Sequence, residues 1–157
     1  IIFLLLSNMD IYNADNFFKF DKITLDDPKQ LQGGGTYIPN LKLVEFCKKN
    51  KIPVICFPKG IRENYKEFNN IVKPNCLNLD YEIEPAWAKQ NLKNVILQGG
   101  LDPKTLLLDN DELEKNAIKY LKTFKEMPYI FNLGHGILPE TEPEKVDKLI
   151  KFYRESK

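Results

Sequence analysis

The single histidine of this 157-residue sequence, His135, stands between two glycines. It follows a short apolar run at residues 129–133, so we predict that it lies where a buried strand ends. Histidine titrates near neutral pH, and working residues in α/β folds gather at the C-terminal ends of strands. We therefore predict that His135 is catalytic and binds substrate. The alternative is a turn histidine that is hydrogen-bonded to backbone.

Four other polar side chains follow apolar runs in the same way. Lys59 and Arg62 would attract an anionic substrate, unless both are only solvated. Asp80 either contacts a ligand or caps the helix that follows. Gln98 stands before two glycines, which let a ligand approach the backbone closely. We predict Lys59, Arg62, Asp80 and Gln98 as substrate-binding residues.

The cysteines Cys47, Cys56 and Cys76 are odd in number and form no CxxC pair. Buried reduced thiols are therefore expected, rather than a metal or redox site. We predict no metal and no cofactor. With no targeting segment visible in the sequence, we expect a reducing, cytoplasmic location.

Composition excludes several classes of protein. The chain is 43% hydrophobic, and its 23 basic and 22 acidic side chains give a net charge of +1. Ample apolar content argues against disorder, and mixed charges argue against a nucleic-acid module. No apolar run approaches the roughly 18 residues of a membrane span, so we expect a soluble protein.

Four short apolar runs, bounded by glycine or proline, are typical of strands that are buried on both faces of a parallel sheet. The intervening segments carry helical periodicity and helix-start signals. Asp102 and Asp109 are expected to cap helices, and Thr141 to open a capping box. The order is one helix, then a strand and a helix four times, which predicts an α/β fold with outer helices. The runs are residues 53–57, 76–80, 94–98 and 129–133.

Residues 1–36 are poorly assigned and are treated as a separate segment or junction. We expect a strand within residues 1–6, helix or loop at 15–20 and 26–31, and a linker at the glycine tract 33–35. The absence of an initial methionine suggests a cut inside a longer protein. A (β/α)8 barrel takes about 250 residues, so four strand–helix units would form half of one.

Four signatures in order carry a family resemblance. FPKG stands at residues 57–60, LDY at 79–81, QGGLDP at 98–103, and FNLGHGILPET at 131–141. Together they closely resemble the C-terminal half of the uroporphyrinogen decarboxylase family, over residues 37–157. One departure is Gly100, where the family commonly has asparagine.

The resemblance implies a cofactor-free TIM (β/α)8 barrel, usually homodimeric, of which this chain would be the C-terminal half. The family removes carbon dioxide from the four acetate arms of uroporphyrinogen III and forms coproporphyrinogen III for haem biosynthesis. His135 matches the family's strand-end histidine. The family's substrate-binding arginines and its pyrrole-facing aspartate lie in the N-terminal half and have no match here.

Two alternatives remain open. The chain could be a non-catalytic fragment or split half, because it has only two arginines to meet the eight carboxylates of uroporphyrinogen. It could also be a zinc-dependent, corrinoid-linked methyltransferase of the same superfamily. Such enzymes use histidine and cysteine ligands, and a lone His135 without a paired cysteine disfavours that reading. Stoichiometric zinc in the purified protein would favour it.

Overall fold

The computed structural model describes residues 2–4 and 34–156. Strands and helices alternate along them, which confirms the predicted α/β class and the order of one helix followed by four strand–helix pairs. Two short 3-10 helices, Arg62–Asn64 and Pro103–Leu107, supplement these elements. The predictions for residues 15–20 and 26–31 lie outside the described residues. The elements are β1 (Ile2–Leu4), α1 (Gly34–Lys49), β2 (Val54–Cys56), α2 (Tyr65–Val72), β3 (Cys76–Leu79), α3 (Pro85–Asn91), β4 (Ile96–Gly99), α4 (Asn110–Phe124), β5 (Tyr129–Ile130) and α5 (Pro143–Glu155).

The chain divides into two compact units, Ile1–Leu77 and Asn78–Lys157, and β3 contributes residues to both. In the first unit β1, β2 and β3 follow one another as parallel neighbours, with Ile2 opposite Val54 and Ile55 opposite Cys76. The strand expected within residues 1–6 is thus found at Ile2–Leu4.

In the second unit the end of β3, β4 and β5 lie side by side in that order. Strands β4 and β5 are parallel, with Leu97 opposite Tyr129. A further parallel bridge joins Leu101 to Leu133, beyond the ends of both strands. This bridge carries the pairing into the loops that hold the predicted site residues.

Apolar side chains at helical spacing pack the core of the first unit. Val44 on α1 and Phe68 on α2 are fully buried. The three cysteines are buried free thiols, as predicted. Loss of hydration on burial raises the pKa of both Cys56 and Cys76 to about 12, because the charged thiolate is disfavoured away from water.

The core of the second unit is built on one face of α4. Leu113, Ala117 and Phe124 are buried there as predicted. Tyr120 is also buried, whereas the predicted Leu121 is only half-buried. The Phe124 ring stacks on Tyr129 of β5, with a centroid distance of 4.4 Å. Helix α4 thereby packs against β5.

The strand limits differ from prediction in ways that have physical causes. Strand β4 begins at Ile96 rather than residue 94, because Asn94 has a left-handed backbone with φ of 60°, which an extended strand does not accept. Burial on both faces is wrong for β5, where Ile130 is 45% exposed. Successive strand residues point to opposite faces, and the Phe124 ring of α4 stacks on Tyr129, the residue before Ile130.

The helix-start predictions are partly confirmed. Asp109 Oδ1 accepts a hydrogen bond from the Glu112 amide at 2.9 Å, and Asp102 Oδ1 accepts one from the Lys104 amide at 2.9 Å. The capping box at Thr141 is wrong, because Glu142 occupies the N-cap position of α5. No partner for the buried Thr141 Oγ1 is present in the part of the chain that the structure describes.

The predicted glycine linker is not a linker where the structure describes it. Gly34, the second glycine of the tract at 33–35, is the first residue of α1, and the helix continues without interruption to Lys49. Gly33 lies outside the described residues. None of the helices within 34–156 combines the length and apolar character needed to cross a membrane.

Candidate functional site

A buried amide pair joins the ends of β3 and β4. Asn78 and Gln98 are 3% and 4% exposed, respectively, and Gln98 Nε2 donates a hydrogen bond to Asn78 Oδ1 at 2.8 Å. Buried amides are costly unless they are hydrogen-bonded, so each fixes the orientation of the other. The predicted residue Gln98 is thereby held by a partner that belongs to the neighbouring strand.

Asp80 lies in the turn that follows β3, where it is 3% exposed. Its carbonyl accepts a hydrogen bond from the Ile83 amide at 3.1 Å, and its Oδ1 contacts the Glu82 amide at 3.5 Å. Glu84, not Asp80, occupies the N-cap position of α3. The capping alternative for Asp80 is therefore wrong, and its carboxylate lies in the strand-end turn.

The loop after β4 is held by two tyrosine hydroxyls. Tyr129 Oη donates to the carbonyl of Gly99 at 2.7 Å, and Tyr120 Oη donates to the carbonyl of Gly100 at 2.6 Å. Gly100 has a φ of 100°, a conformation that residues with a side chain rarely adopt. The glycine lets the loop turn at this point, and the two hydroxyls hold it there.

His135 follows a glycine that is pressed against the Asp80 turn. The Gly134 amide donates to the Leu101 carbonyl at 2.8 Å. A Cβ atom on Gly134 would lie 2.5 Å from the backbone nitrogen of Tyr81, which is too close for any side chain. The structure thus brings the segments that carry Asp80 and His135 into contact, and leaves the His135 side chain exposed.

Burial keeps the two tyrosines as hydrogen-bond donors. Desolvation, aided by Glu84 and Asp102, raises the pKa of Tyr120 to about 12. Desolvation also raises the pKa of Tyr129. Both hydroxyls therefore keep their protons throughout the neutral range, and neither bond to the glycine loop is lost on mild changes of pH.

The two predicted cations lie in the other compact unit. Lys59 and Arg62 are exposed and occupy the segment between β2 and α2. Arg62 has a φ of 48°, a left-handed conformation that is strained for a residue with a side chain. Of the five predicted site residues, Asp80, Gln98 and His135 thus belong to one unit, and Lys59 and Arg62 to the other.

The second unit offers an exposed imidazole on a loop that contacts the turn holding the buried Asp80. An imidazole can donate a hydrogen bond or a proton to a carboxylate near neutral pH. Within residues 2–4 and 34–156, no group of three or more histidine, cysteine, aspartate or glutamate side chains is arranged to hold a metal ion.

Three residues of this region were not predicted from the sequence. Asn78 stood as a polar residue in an apolar strand, and that position alone could have marked it. Tyr120 and Tyr129 stood within regular elements and offered no local signal. Their contacts reach glycines that are 20 and 30 residues away in the chain.

Comparison with known proteins identifies a family. The model of the family described as uroporphyrinogen decarboxylase (URO-D) matches residues 37–156. A uroporphyrinogen decarboxylase of Rickettsia felis is 41% identical over 118 residues, which are 74% of this chain and 34% of that protein. One of Cereibacter sphaeroides is 38% identical over 105 residues, which are 66% of this chain and 31% of that protein. One of Jannaschia is 35% identical over 136 residues, which are 86% of this chain and 37% of that protein. The chain thus spans about a third of the length of the curated relatives that it matches.

Proposed function

The chain belongs to the uroporphyrinogen decarboxylase family, and we propose that the protein of which it forms a part is a carboxy-lyase that converts uroporphyrinogen III to coproporphyrinogen III. The family fold is the TIM (β/α)8 barrel, and the parallel strands with intervening helices are part of it. We take the substrate from the family, and the residues that act on its reacting arm from the second unit.

The contact between Gly134 and Tyr81 is the observation that carries the proposal. It brings the His135 loop against the turn that holds Asp80, beyond the amide pair of β3 and β4. An acidic, an amide and an imidazole side chain thereby lie at three neighbouring strand ends, the first two buried and the imidazole exposed. In barrels of this type the strand ends at this edge form the active site.

The reaction needs a proton on the pyrrole ring before carbon dioxide can leave. The bond between the acetate methylene and its carboxyl carbon then breaks, carbon dioxide departs, and the electron pair neutralises the protonated ring. A second proton converts the former methylene into a methyl group, and the ring then releases the first proton to restore the pyrrole. We assign to His135 the binding of the reacting arm and the transfer of a proton, two roles that an imidazole side chain can perform.

The other predicted residues fit supporting roles in this proposal. Lys59 and Arg62 would bind peripheral carboxylates of a substrate that carries eight of them. Asp80 would stabilise the cationic ring of the intermediate, since a carboxylate next to developing positive charge lowers its energy. Gln98, with its amide orientation fixed by Asn78, would donate or accept one hydrogen bond.

The remaining features of the proposal concern location and partners. We assign the protein to the cytoplasm, as a homodimer that binds neither nucleic acid nor membrane. The three buried free thiols suit a reducing compartment, and the nearly equal numbers of basic and acidic side chains leave the chain almost no net charge with which to attract a polyanion.

A non-catalytic role for the 157-residue chain on its own is the second candidate. It is favoured by the scarcity of arginine, with only Arg62 and Arg154 in the sequence against eight substrate carboxylates. Arginine binds a carboxylate through two parallel hydrogen bonds, and it is therefore the preferred partner for such groups. On this view the chain would supply the strand-end site but lack enough cations to hold the substrate.

An assay with uroporphyrinogen III under anaerobic, reducing conditions tests both candidates. We expect the full-length protein to form coproporphyrinogen and the purified 157-residue chain to form little or none. Failure of the full-length protein to decarboxylate would overturn the proposed function. Robust turnover by the 157-residue chain as a monomer would overturn the non-catalytic alternative and the charge argument behind it.

A further inference from the structure

We infer that Tyr120, on the outer helix α4, is a positioning residue for His135. Its hydroxyl holds the carbonyl of Gly100, and the backbone from Gly100 to Leu101 in turn holds Gly134, the residue before His135. The inference rests on the proposed function only in treating His135 as the residue that acts on substrate.

The connection runs through two hydrogen bonds and one peptide unit. Tyr120 Oη donates to the Gly100 carbonyl at 2.6 Å, and the next residue, Leu101, accepts the Gly134 amide at 2.8 Å. Leu101 also pairs with Leu133 as a parallel bridge. The backbone of the His135 loop is therefore tied to the segment whose conformation the Tyr120 hydroxyl fixes.

The ring of Tyr120 and the glycine are fitted to each other. A Cβ atom at Gly100 would lie 2.8 Å from Tyr120 Cε1, so the ring occupies the space that a side chain would need. Gly100 has a φ of 100°, and a glycine has wide conformational freedom unless a contact holds its backbone. Tyr120 is 7% exposed, so water cannot readily replace its hydroxyl as the donor.

Tyr129 acts one residue earlier and has a different consequence. Its hydroxyl binds the Gly99 carbonyl, which lies at the end of β4 and next to Gln98. Gly99 is thus already held by the strand, whereas Gly100 lies beyond the strand end at Gly99. The hydroxyl of Tyr120 therefore holds Gly100, the one residue between the end of β4 and Leu101.

Tyr120→Phe tests the inference, since it removes the hydroxyl and keeps the ring. The readouts are amide hydrogen exchange at Gly134 and the His135 Hε1 resonance, which is assigned by its loss in His135→Asn. Thr123→Val is the matched control, because it removes from the same helix a hydroxyl whose one partner among the described residues is the Lys119 carbonyl. Neither readout needs substrate, so failure of the proposed function leaves this test intact.

We expect Tyr120→Phe to accelerate exchange at Gly134 by about threefold to tenfold relative to the core amides of Leu113 and Phe124, as loss of one hydrogen bond implies. The His135 resonance should shift, and Thr123→Val should change neither readout. Equal acceleration at Gly134 and the core amides, or an unmoved His135 resonance, would overturn the inference. If the phenylalanine variant does not fold, Tyr120→Met fills the same space without a donor, and the same two readouts with the same expected changes apply to it.

Discussion

Gly134 shows how a single missing side chain assembles the candidate site. The backbone nitrogen and Cα of Tyr81 lie 2.5 and 2.9 Å from where a Cβ on Gly134 would stand. Two strand-end loops can meet only because this position carries no side chain. The adjacent His135 is consequently placed by backbone contact, which is stiffer than a contact between long side chains.

Gly134→Ala should therefore destabilise the chain by about 1–3 kcal/mol, because backbone rather than a flexible side chain must move to admit the methyl group. The matched control is Gly136→Ala, where an added Cβ would meet nothing within 4 Å. We expect that variant to stay within about 0.5 kcal/mol of the parent. Urea denaturation of both variants measures the difference, and equal stabilities would contradict the close approach.

Three of the site residues could be predicted from the sequence, and their hydrogen-bond partners could not. Asp80, Gln98 and His135 were predictable because each follows an apolar run, and the carboxyl ends of parallel strands lie along one edge. Their partners were not predictable. The Gln98 amide is bonded to a residue 20 positions away, and local sequence patterns carry no information about such pairings.

At the scale of the helix, two capping predictions that looked alike in the sequence had opposite outcomes. Asp109 caps α4 through the amide of Glu112, while the Glu112 carboxylate pairs with Lys115 at 2.8 Å. At α5 the helix begins one residue later than expected, so the Thr141 hydroxyl misses its target. The proline at position 143 accounts for this, since proline favours the first helical position and makes Glu142 the N-cap.

Asp109→Ala should thus cost about 0.5–2 kcal/mol, the usual loss for an N-cap side chain. Thr141→Val should be neutral or stabilising, because it replaces a buried hydroxyl for which the described residues supply no partner. Thermal or urea unfolding of the two variants provides the comparison. A larger loss of unfolding free energy for Thr141→Val than for Asp109→Ala would show that Thr141 does cap α5.

Two buried thiols of the first unit, Cys56 and Cys76, make stability depend on pH in the alkaline range. The pKa of Cys56 rises from its ordinary value of 9.0 to about 12. Between these values the unfolded chain loses a proton that the folded chain keeps, so the free energy of unfolding falls as pH rises. The slope contributed by one such thiol is at most about 1.4 kcal/mol per pH unit.

Cys56→Val removes this titration and keeps the buried volume nearly constant. We expect its unfolding free energy to fall less steeply than that of the parent between pH 9 and pH 11, as followed by urea denaturation. Identical slopes for parent and variant would show that the thiol ionises equally in both states.

For the whole molecule, the regular alternation of strands and helices was predictable because apolar runs and helical periodicity are local signals. The parallel register was also predictable in kind, since strand–helix–strand units form parallel sheets. The assignment of residues 1–36 as a separate segment stays a prediction. The departures, at β5 and at the glycine tract, occur where burial and helix formation depend on neighbours distant in sequence.

The central claim is that His135 acts on a porphyrinogen carboxylate, and the His135→Asn variant of the full-length protein tests it most directly. The measurement is coproporphyrinogen formation from uroporphyrinogen III at saturating and at limiting substrate. The exposed Lys115→Gln on α4, remote in sequence from the strand ends, is the control that should retain activity. We predict a loss of about 100-fold or more for His135→Asn with an unchanged fold, as expected on removal of a proton-transfer group. Product formation equal to that of the parent at both substrate levels would show that His135 is a turn residue and contradict the account.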